Sequence, residues 1–505
     1  MNLAQLLNNV SVSKMFQTVF GKMVTTHDVE INRICYDSRK VERGDLFVAI
    51  NGTIDGHKFI QDAISRGAKG IVIENDKSID DSFCMHTGVV KIVVENTRIA
   101  LAKISANYFK NPASKLQIIG VTGTNGKTTV VNLIKQLLAE STIPNVKIGV
   151  IGTINYSVGG EMIPSTHTTP ESLELNYLFS KMVSNNCTHC VMEVSSHSLI
   201  QKRVFGINFA AAVFTNLTQD HLDFHNTMDE YFKAKKILFD NLSSGSIAIT
   251  NVDSDFGEEI VKNTNAKIIR YSIEKKSELK AEEISLSTSE SNFKLKVNDS
   301  ELNLKSKLIG KFNIYNILAS IGAITGLGIK FKKDIHEIIP NLESAAGRFQ
   351  KINSPFGWSA IVDYAHTPDA LEKCLSAIKD TLNTASDSSI ITVFGAGGDR
   401  DSTKRPKMGE IAERFSDKIV VTSDNPRTED PQKIIDDILL GMKSSEKIFV
   451  DVDRHDAIFR ALSLADLNDV VLIAGKGHED YQVIGHEKIH FNDVEVVEEF
   501  IELNK

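Results

Sequence analysis

Short apolar runs alternate with amphipathic segments along most of the chain. A mostly apolar run at 116–121 is followed by similar runs at 146–151, 189–194 and 210–215, and a helical pattern at 130–140 separates the first two. Strands of a parallel sheet are covered on both faces, so they lack the strict alternation of half-exposed strands. This order of elements predicts a doubly wound, mainly parallel sheet.

The same alternation returns in a segment that begins near Gly347. The predicted elements there are strands at 359–362, 390–394, 418–422 and 470–474 and helices at 368–382 and 431–442. The pattern predicts a second α/β unit with parallel strands.

The remaining segments predict a smaller first region and an antiparallel edge. Strands are predicted at 45–50 and 70–73, with a helix at 59–67 between them, and the first 16 residues also look helical. Residues 275–308 are polar and alternate, which predicts hairpins at the edge of the central sheet. Asn111-Pro112 is a boundary signal. A chain of 505 residues suggests about three domains of roughly 100–200 residues each.

Composition and charge exclude several classes of protein. The net charge of −8 gives nucleic-acid binding no electrostatic support. The 5 cysteines are too few and odd in number for a disulfide framework, and we interpret Cys187 and Cys190 as core residues rather than a metal or redox pair. The N-terminus does not resemble a signal peptide, and no window approaches about 18 uninterrupted apolar residues. We expect a cytoplasmic protein without a membrane span.

The strongest chemical signal is a glycine-rich segment at 120–129 between a predicted strand and a predicted helix. Glycines let backbone N–H groups turn toward phosphate oxygens, and a helix N-terminus adds positive potential. Lys127 is expected to bridge the β- and γ-phosphates of a nucleotide, and the Thr128 hydroxyl to bind Mg²⁺. Val121 takes the place of the first glycine of a strict phosphate loop, so a strand–turn–helix without a nucleotide is the alternative. The predicted ATP contacts of this loop are Gly123, Thr124, Asn125, Gly126, Lys127, Thr128 and Thr129.

Polar residues follow two other central strands. Glu193 ends one strand and is expected to hold Mg²⁺ beside the loop, because ligand sites form at the carboxyl ends of parallel strands. His221 follows the next strand and could give a nitrogen ligand to a second cation, although an isolated histidine is more often structural. Lys235 lies in a basic amphipathic segment at 231–239, where the sequence alone favours a solvated basic face.

Four loops follow the four strands of the last segment, and parallel topology would bring them to one rim. That rim would carry Arg400, Arg427, Asp424 and Glu479. Guanidinium groups bind carboxylates through two parallel hydrogen bonds, and carboxylates bind ammonium groups. Such a rim suits a zwitterionic amino acid, and loops that serve stability alone are the alternative.

These motifs, in this order, resemble those of the Mur ligase family over nearly the whole chain. The most specific stretches are 192–203, 363–371, 397–406 and 424–427. The resemblance implies an α/β protein with three domains: a small mixed N-terminal domain for the uridine nucleotide, a central P-loop domain with the doubly wound sheet, and a Rossmann-like domain for the incoming amino acid. The predicted domain ranges are 1–111, 112–346 and 347–505.

The resemblance also implies a set of site residues. Contacts to the UDP-muramoyl substrate are implied for Ser38, Thr168, Thr169, Ser195, Gln201 and Arg203. Further ATP contacts are implied for Asn313, Asn316, Arg348, Asp363 and His366. Amino-acid contacts are implied for Arg400, Asp424, Asn425, Pro426, Arg427, Gly475 and Glu479.

One implication overturns the interpretation of a solvated helix face. Lys235 matches a lysine that is carbamylated in the family, which would convert a cation into an anionic ligand. With Thr128, Glu193 and His221 it would form two Mg²⁺ sites. The expected catalytic residues are Lys127, Glu193, His221 and Lys235.

The implied reaction is ATP-dependent addition of meso-2,6-diaminopimelate to the D-glutamate γ-carboxylate of a UDP-N-acetylmuramoyl dipeptide, through an acyl phosphate, in peptidoglycan precursor synthesis. The stretch 424–427 matches members that add diaminopimelate, and Arg427 would bind the distal carboxylate that lysine lacks. A lysine-adding relative, a folylpolyglutamate synthase and a nucleotide-regulated binding protein without ligation remain alternatives. Asp37-Ser38-Arg39 argues against the synthase. We expect a monomer.

Overall fold

A computed structural model describes residues 1–52, 54–297, 300–382, 388–443 and 446–505. Three large sheets follow one another along the chain, and helices pack on each of them. The predicted succession of a small mixed unit and two larger α/β units is confirmed.

The first region contains a mixed five-stranded sheet in the order β1-β7-β6-β5-β4. The strands of that sheet are β1 (Val12–Phe16), β4 (Ile34–Cys35), β5 (Leu46–Val48), β6 (Gly70–Ile73) and β7 (Val90–Val94), and β2 (Thr18–Val19) and β3 (Lys22–Met23) form a separate two-stranded sheet. The helices of the region are α1 (Leu3–Leu6), α2 (Ile60–Ser65), α3 (Asp81–Thr87) and α4 (Thr97–Tyr108). Strands β4 to β7 are parallel, and β1 is antiparallel to β7.

The predicted helix over the first 16 residues is wrong beyond Leu6. Asn2 caps the short helix α1, which ends at Leu6, and the left-handed backbone of Asn9, with φ of 59°, is one that a right-handed helix could not continue through. Val12 and the residues after it then pair with β7, because a ladder along a buried strand satisfies their backbone groups.

The central region is built on an eleven-stranded sheet in the order β11-β10-β9-β12-β8-β13-β14-β15-β16-β17-β18. Its strands are β8 (Gln117–Thr122), β9 (Ile148–Ile151), β10 (Asn155–Val158), β11 (Glu161–Pro164), β12 (His189–Glu193), β13 (Phe209–Phe214), β14 (Ile247–Asn251), β15 (Lys267–Ser272), β16 (Leu279–Leu286), β17 (Ser291–Val297) and β18 (Ser300–Ser306). Its helices are α5 (Lys127–Ala139), α6 (Ser172–Ser184), α7 (Ser196–Ile200), α8 (Leu222–His225), α9 (Met228–Asp240), α10 (Lys311–Gly326) and α11 (Ile335–Ile338).

Parallel strands form the middle of this sheet and antiparallel hairpins form its two edges. The hairpins predicted at 275–308 are confirmed as β16 to β18. A second hairpin, β10–β11, turns through Gly159 and Gly160, both with positive φ, and this Gly-Gly pair is a local signal from which the hairpin could be predicted. The parallel middle places the ends of β8, β12 and β13 side by side.

The last region has a six-stranded sheet in the order β19-β20-β24-β21-β22-β23, parallel except for β19. The strands of that sheet are β19 (Gln350–Asn353), β20 (Ser359–Asp363), β21 (Ile390–Phe394), β22 (Lys418–Val421), β23 (Ile448–Val450) and β24 (Val470–Ala474). A separate two-stranded sheet is formed by β25 (Tyr481–Ile484) and β26 (Glu487–His490). Its helices are α12 (Pro368–Leu382), α13 (Lys404–Phe415), α14 (Pro431–Leu439), α15 (Arg454–Ser463) and α16 (Asp493–Leu503). The four predicted strands are confirmed to within one residue at each end.

Across the described ranges, no helix combines the length and the apolar character needed to cross a bilayer.

Candidate active site

One cavity of about 830 Å³ lies between the carboxyl ends of the central strands and the last region. Open clefts at such strand ends are where parallel sheets bind ligands. The predicted site residues that line it are Thr124, Asn125, Gly126, Lys127, Thr128, Thr129, Thr168, Glu193, Ser195, His221, Lys235, Asn316, Arg348, Asp363 and His366. The structure therefore brings most of the predicted ATP and metal residues to one place.

The loop between β8 and α5 has the backbone of a phosphate-binding turn. Gly123 and Gly126 have φ of 149° and 85°, and a Cβ on Gly123 would lie 1.9 Å from Thr215 Oγ1. The residues after β13 hold the loop in this shape: Thr215 Oγ1 donates to the Asn125 carbonyl at 2.6 Å, and Asn216 Oδ1 accepts from the Asn125 N–H at 3.0 Å. Both glycines are required because no side chain fits at these positions.

Two lysine side chains converge on one carbonyl of this loop. Lys127 Nζ and Lys235 Nζ donate to the Gly123 oxygen at 3.0 and 2.9 Å. Burial lowers the pKa of Lys127. Burial, and then the charge of Lys127, lower the pKa of Lys235 well below its ordinary value. Lys235 is 1% exposed, so the interpretation of a solvated basic face is wrong.

Glu193 lies beside the loop, at the end of β12, and is 1% exposed. Its Oε1 accepts from Thr128 Oγ1 and from the Thr153 N–H, both at 2.9 Å. Its Oε2 accepts from Thr153 Oγ1 at 3.1 Å. A hydroxyl and a carboxylate in contact at the mouth of a phosphate loop are the hard oxygen donors that Mg²⁺ prefers.

His221 lies at the start of α8 in a left-handed conformation with φ of 53°. Its ring centroid is 5.0 Å from that of His197 and 6.1 Å from that of Tyr231. Tyr231 also lies under the Lys235 ammonium, 4.4 Å from Nζ to the ring centroid. His221 and Lys235 therefore face the same part of the cavity.

The last region closes the other side of the cavity. The Arg348 guanidinium lies 4.7 Å from the ring centroid of Tyr364, and its Nε has no hydrogen-bond partner within the described residues. Asp363 accepts from the Phe349 N–H at 2.6 Å. Burial raises the pKa of Asp363, and this effect outweighs the charge of Arg348, which acts to lower it. Asp369 Oδ2 accepts from the phosphate-loop side chain Asn125 at 3.2 Å, so the two regions touch directly.

The predicted asparagines of α10 lie behind the phosphate loop. Asn316 lines the cavity, and its amide donates to Asn313 Oδ1 at 3.1 Å. A Cβ on Gly126 would lie 2.6 Å from Asn316 Oδ1. Asn313 is turned inward and donates to the Ile309 carbonyl at 2.9 Å.

The predicted amino-acid residues form a second cluster, outside this cavity, on the rim of the last sheet. Asn425 Nδ2 donates to Glu479 Oε2 at 2.9 Å, and Asp424 and Pro426 are buried beside it. A Cβ on Gly397 would lie 3.1 Å from Arg427 Nη1 and 3.8 Å from Arg400 Cγ, so the two arginines flank one glycine. Gly475, with φ of 120°, would place a Cβ 3.3 Å from Asp424 Oδ2.

The residues predicted for the UDP-muramoyl substrate form a third group. Arg203 donates to the Thr169 carbonyl at 2.8 Å and to Gln201 Oε1 at 2.6 Å. Thr169 Oγ1 in turn accepts from the Ser195 N–H at 3.1 Å. Ser38 lies on the first region, where its hydroxyl hydrogen-bonds Asp62 and lowers the pKa of that carboxyl. Ser38 is not among the residues that line the cavity.

Sequence reasoning missed several residues that hold these groups in place. Thr153 holds Glu193, and its place just after the strand predicted at 146–151 is the signal that could have found it. Asp369 lies in the first turn of the predicted helix α12, and its carboxylate also accepts from the phosphate-loop side chain Asn125. Arg98 of the first region donates to Glu171 Oε2 at 2.9 Å, and Arg203 pairs with the same carboxylate at 3.6 Å.

Three family profiles match successive parts of the chain. They are described as Mur ligase family, catalytic domain at 30–109, Mur ligase middle domain at 121–324, and Mur ligase, glutamate ligase domain at 347–477.

The chain is also similar to named relatives and solved structures over nearly its whole length. It is 45% identical to the UDP-N-acetylmuramoyl-L-alanyl-D-glutamate–2,6-diaminopimelate ligase of Clostridium botulinum, covering 94% of this chain and 95% of the relative. It is 44% identical to the protein of the same name from Phocaeicola vulgatus, over 93% and 94% of the two chains. A solved structure of a ligase with that name matches with a TM-score of 0.67 and 30% identity, over 97% of this chain and 99% of that one. The MurF ligase from Thermotoga maritima in complex with ADP matches with a TM-score of 0.59 and 20% identity over 94% and 98%, which shows the shared fold.

Proposed function

The chain belongs to the Mur ligase family, and on that basis we propose that it joins meso-2,6-diaminopimelate to the D-glutamate γ-carboxylate of UDP-N-acetylmuramoyl-L-Ala-D-Glu. The reaction consumes ATP and belongs to peptidoglycan precursor synthesis. The observation that carries the proposal is the cavity of about 830 Å³ in which the phosphate loop and Glu193 face Arg348 and His366 of the last region. We further propose domain ranges of 1–111, 112–346 and 347–505, a monomer and a cytoplasmic location.

The ATP site follows from the phosphate loop and the residues opposite it. Lys127 and the loop N–H groups would bind the β- and γ-phosphates, and Asn316 would lie near the adenine. Arg348 would add a guanidinium from the last region, since its Nε lacks a partner in the described structure and it lines the same cavity. A nucleotide held this way would join the two regions across the cleft.

Two Mg²⁺ ions are part of the proposal. Thr128 and Glu193 would hold one, because their oxygens already meet at 2.9 Å. His221 and a carbamate on Lys235 would hold the other. When bound, Mg²⁺ supplies positive charge that offsets the repulsion between ATP and the substrate carboxylate.

The chemistry would need positioning and charge stabilisation rather than a protein nucleophile. The substrate carboxylate oxygen would attack the γ-phosphorus and ADP would leave, which gives an acyl phosphate. The neutral diaminopimelate amine would then attack the acyl carbon and form the C–N bond. The bond from that carbon to the phosphate oxygen would break, and the amine proton would leave with the released phosphate. Lys127 would stabilise charge that builds on the transferring group. The contact between Asn125 and Asp369 supports closure of the last region over the loop, which excludes water from the acyl phosphate.

The test is ADP release by the wild-type protein with ATP, Mg²⁺ and UDP-muramoyl dipeptide across a panel of amino acids. We expect release to require both the dipeptide and an amino acid, with the highest kcat/KM for meso-diaminopimelate. A maximum with L-lysine would identify a lysine-adding ligase. Turnover without any amino acid would point to a nucleotide switch, and turnover with a folate and glutamate to a folylpolyglutamate synthase.

Arg427→Ala is expected to lower kcat/KM for meso-diaminopimelate by about 10²-fold or more. Arg427 flanks Gly397 together with Arg400, and its Nη1 donates to the Gly398 carbonyl at 2.7 Å, which a substrate carboxylate could replace as acceptor. Steady-state kinetics should show a KM for ATP within about threefold of wild type. Arg460→Ala, at a half-exposed arginine of the same region, is the control. Equal losses in kcat/KM for meso-diaminopimelate and for ATP would contradict the assignment of Arg427 to the amino-acid site.

A further inference from the structure

A fully buried lysine lies at the centre of the rim cluster of the last region. We propose that Lys476 is a positioning residue that sets the preference for a substrate with a second carboxylate; this inference rests on the proposed function. Lys476 is 0% exposed, and its Nζ lies 3.2 Å from Asn425 Oδ1 and 3.3 Å from Glu479 Oε2. It also forms an ion pair with Asp424 Oδ1 at 3.6 Å.

Lys476 connects two loops that come from different strands. It follows the end of β24, whereas Asp424 and Asn425 follow the end of β22. Another buried cation, Arg454, anchors the same two strand ends through the carbonyls of Ala474 and Ser423, at 3.1 and 3.4 Å. Arg454 thus holds the backbone where the two loops begin. The ammonium of Lys476 holds the side chains of Asp424, Asn425 and Glu479 further along these loops.

The contacts of Lys476 fix the direction of the Asn425 amide. Asn425 Oδ1 accepts from Lys476 Nζ and from the Val483 N–H at 2.9 Å. The amide nitrogen must then point the other way, where it donates to Glu479 Oε2 at 2.9 Å. Lys476 donates to that same oxygen, so Oε1 of Glu479 is the oxygen that a substrate ammonium would meet.

The positive charge of Lys476 also offsets the negative charge of the carboxylates around it. Asp424 and Glu479 bring two carboxylates to a buried rim, and Lys476 lies within 3.6 Å of both. Without it, the buried Asp424 carboxylate and the partly buried Glu479 carboxylate would act on the substrate with no cation between them. Diaminopimelate carries one more carboxylate than lysine, so the excess negative charge would disfavour binding of diaminopimelate more strongly than binding of lysine.

Lys476→Met tests this role. We expect the KM for meso-diaminopimelate to rise about tenfold or more, and the ratio of kcat/KM for meso-diaminopimelate to that for L-lysine to fall about tenfold, with the KM for ATP nearly unchanged. Lys488→Met is the matched control, because both lysines lie over the same Tyr481 ring but Lys488 is exposed. The distance from Nζ to the ring centroid is 3.6 Å for Lys488 and 5.5 Å for Lys476.

Folding is measured apart from positioning, since removing a buried cation leaves carboxylates unpaired. Thermal unfolding of Lys476→Met gives the loss of stability, whereas the ratio of kcat/KM for the two amino acids does not depend on how much of the variant is folded. A lower thermal midpoint with an unchanged ratio would show a purely structural lysine. If the wild-type protein released no ADP with any amino acid, the proposed function would fall and this inference with it.

Discussion

Lys127→Ala should abolish measurable ATP-dependent phosphate release, with a loss in kcat of about 10²–10³-fold or more. The Lys127 ammonium donates to the Gly123 and Thr124 carbonyls at 3.0 and 2.8 Å, so it lies at the mouth of the phosphate loop. Phosphate oxygens are charged acceptors and would outcompete those carbonyls. Because charge on the γ-phosphoryl group grows in the transition state, the lost interaction affects kcat as well as ATP binding.

The measurement is phosphate release at saturating substrates, together with the KM for ATP. Lys135→Ala is the control, since Lys135 is an exposed lysine of the same helix, α5. Thermal unfolding of both variants should stay near that of wild type. Normal turnover by Lys127→Ala would refute the phosphate-loop assignment.

Lys235→Ala should cost most of the activity, about 10²-fold, and short carboxylic acids such as acetate should restore part of it. Burial and the neighbouring charge of Lys127 hold the pKa of Lys235 well below its ordinary value, which favours the neutral amine. A neutral amine can attack CO₂, form an N–C bond and lose a proton, which leaves an anionic carbamate. The product would attract Lys127, whereas the ammonium repels it.

The matched control is Lys233→Ala, which removes an exposed lysine paired with Asp229 on the same helix. Intact-protein mass spectrometry under bicarbonate should detect one added CO₂ in wild type and in the Lys233 variant but none in the Lys235 variant. Full activity of a preparation that carries no carbamate would contradict the metal role of Lys235.

Local signals were sufficient for the sheets and the phosphate loop. The strands β6, β21 and β24 follow the predicted ranges because continuous apolar runs between turns have few other ways to bury their surface. The loop was predictable because positive φ at Gly123 and Gly126 demands glycine, a requirement written into single residues. Helix α1 was overestimated because pairing with β7 is a long-range competitor that no local pattern reports.

The sequence by itself therefore determined the order of elements, the phosphate loop and the set of polar residues at strand ends. Only the tertiary structure decided which of these side chains are buried and what they meet. Lys235 and Lys476 look like ordinary basic residues in the chain, yet packing buries both. Lys235 then has the Gly123 carbonyl as a partner, and Lys476 has the carboxylates of Asp424 and Glu479. The reason is physical: the state of a charged group depends on solvation and on charges within a few ångströms, and residues far apart in sequence supply both.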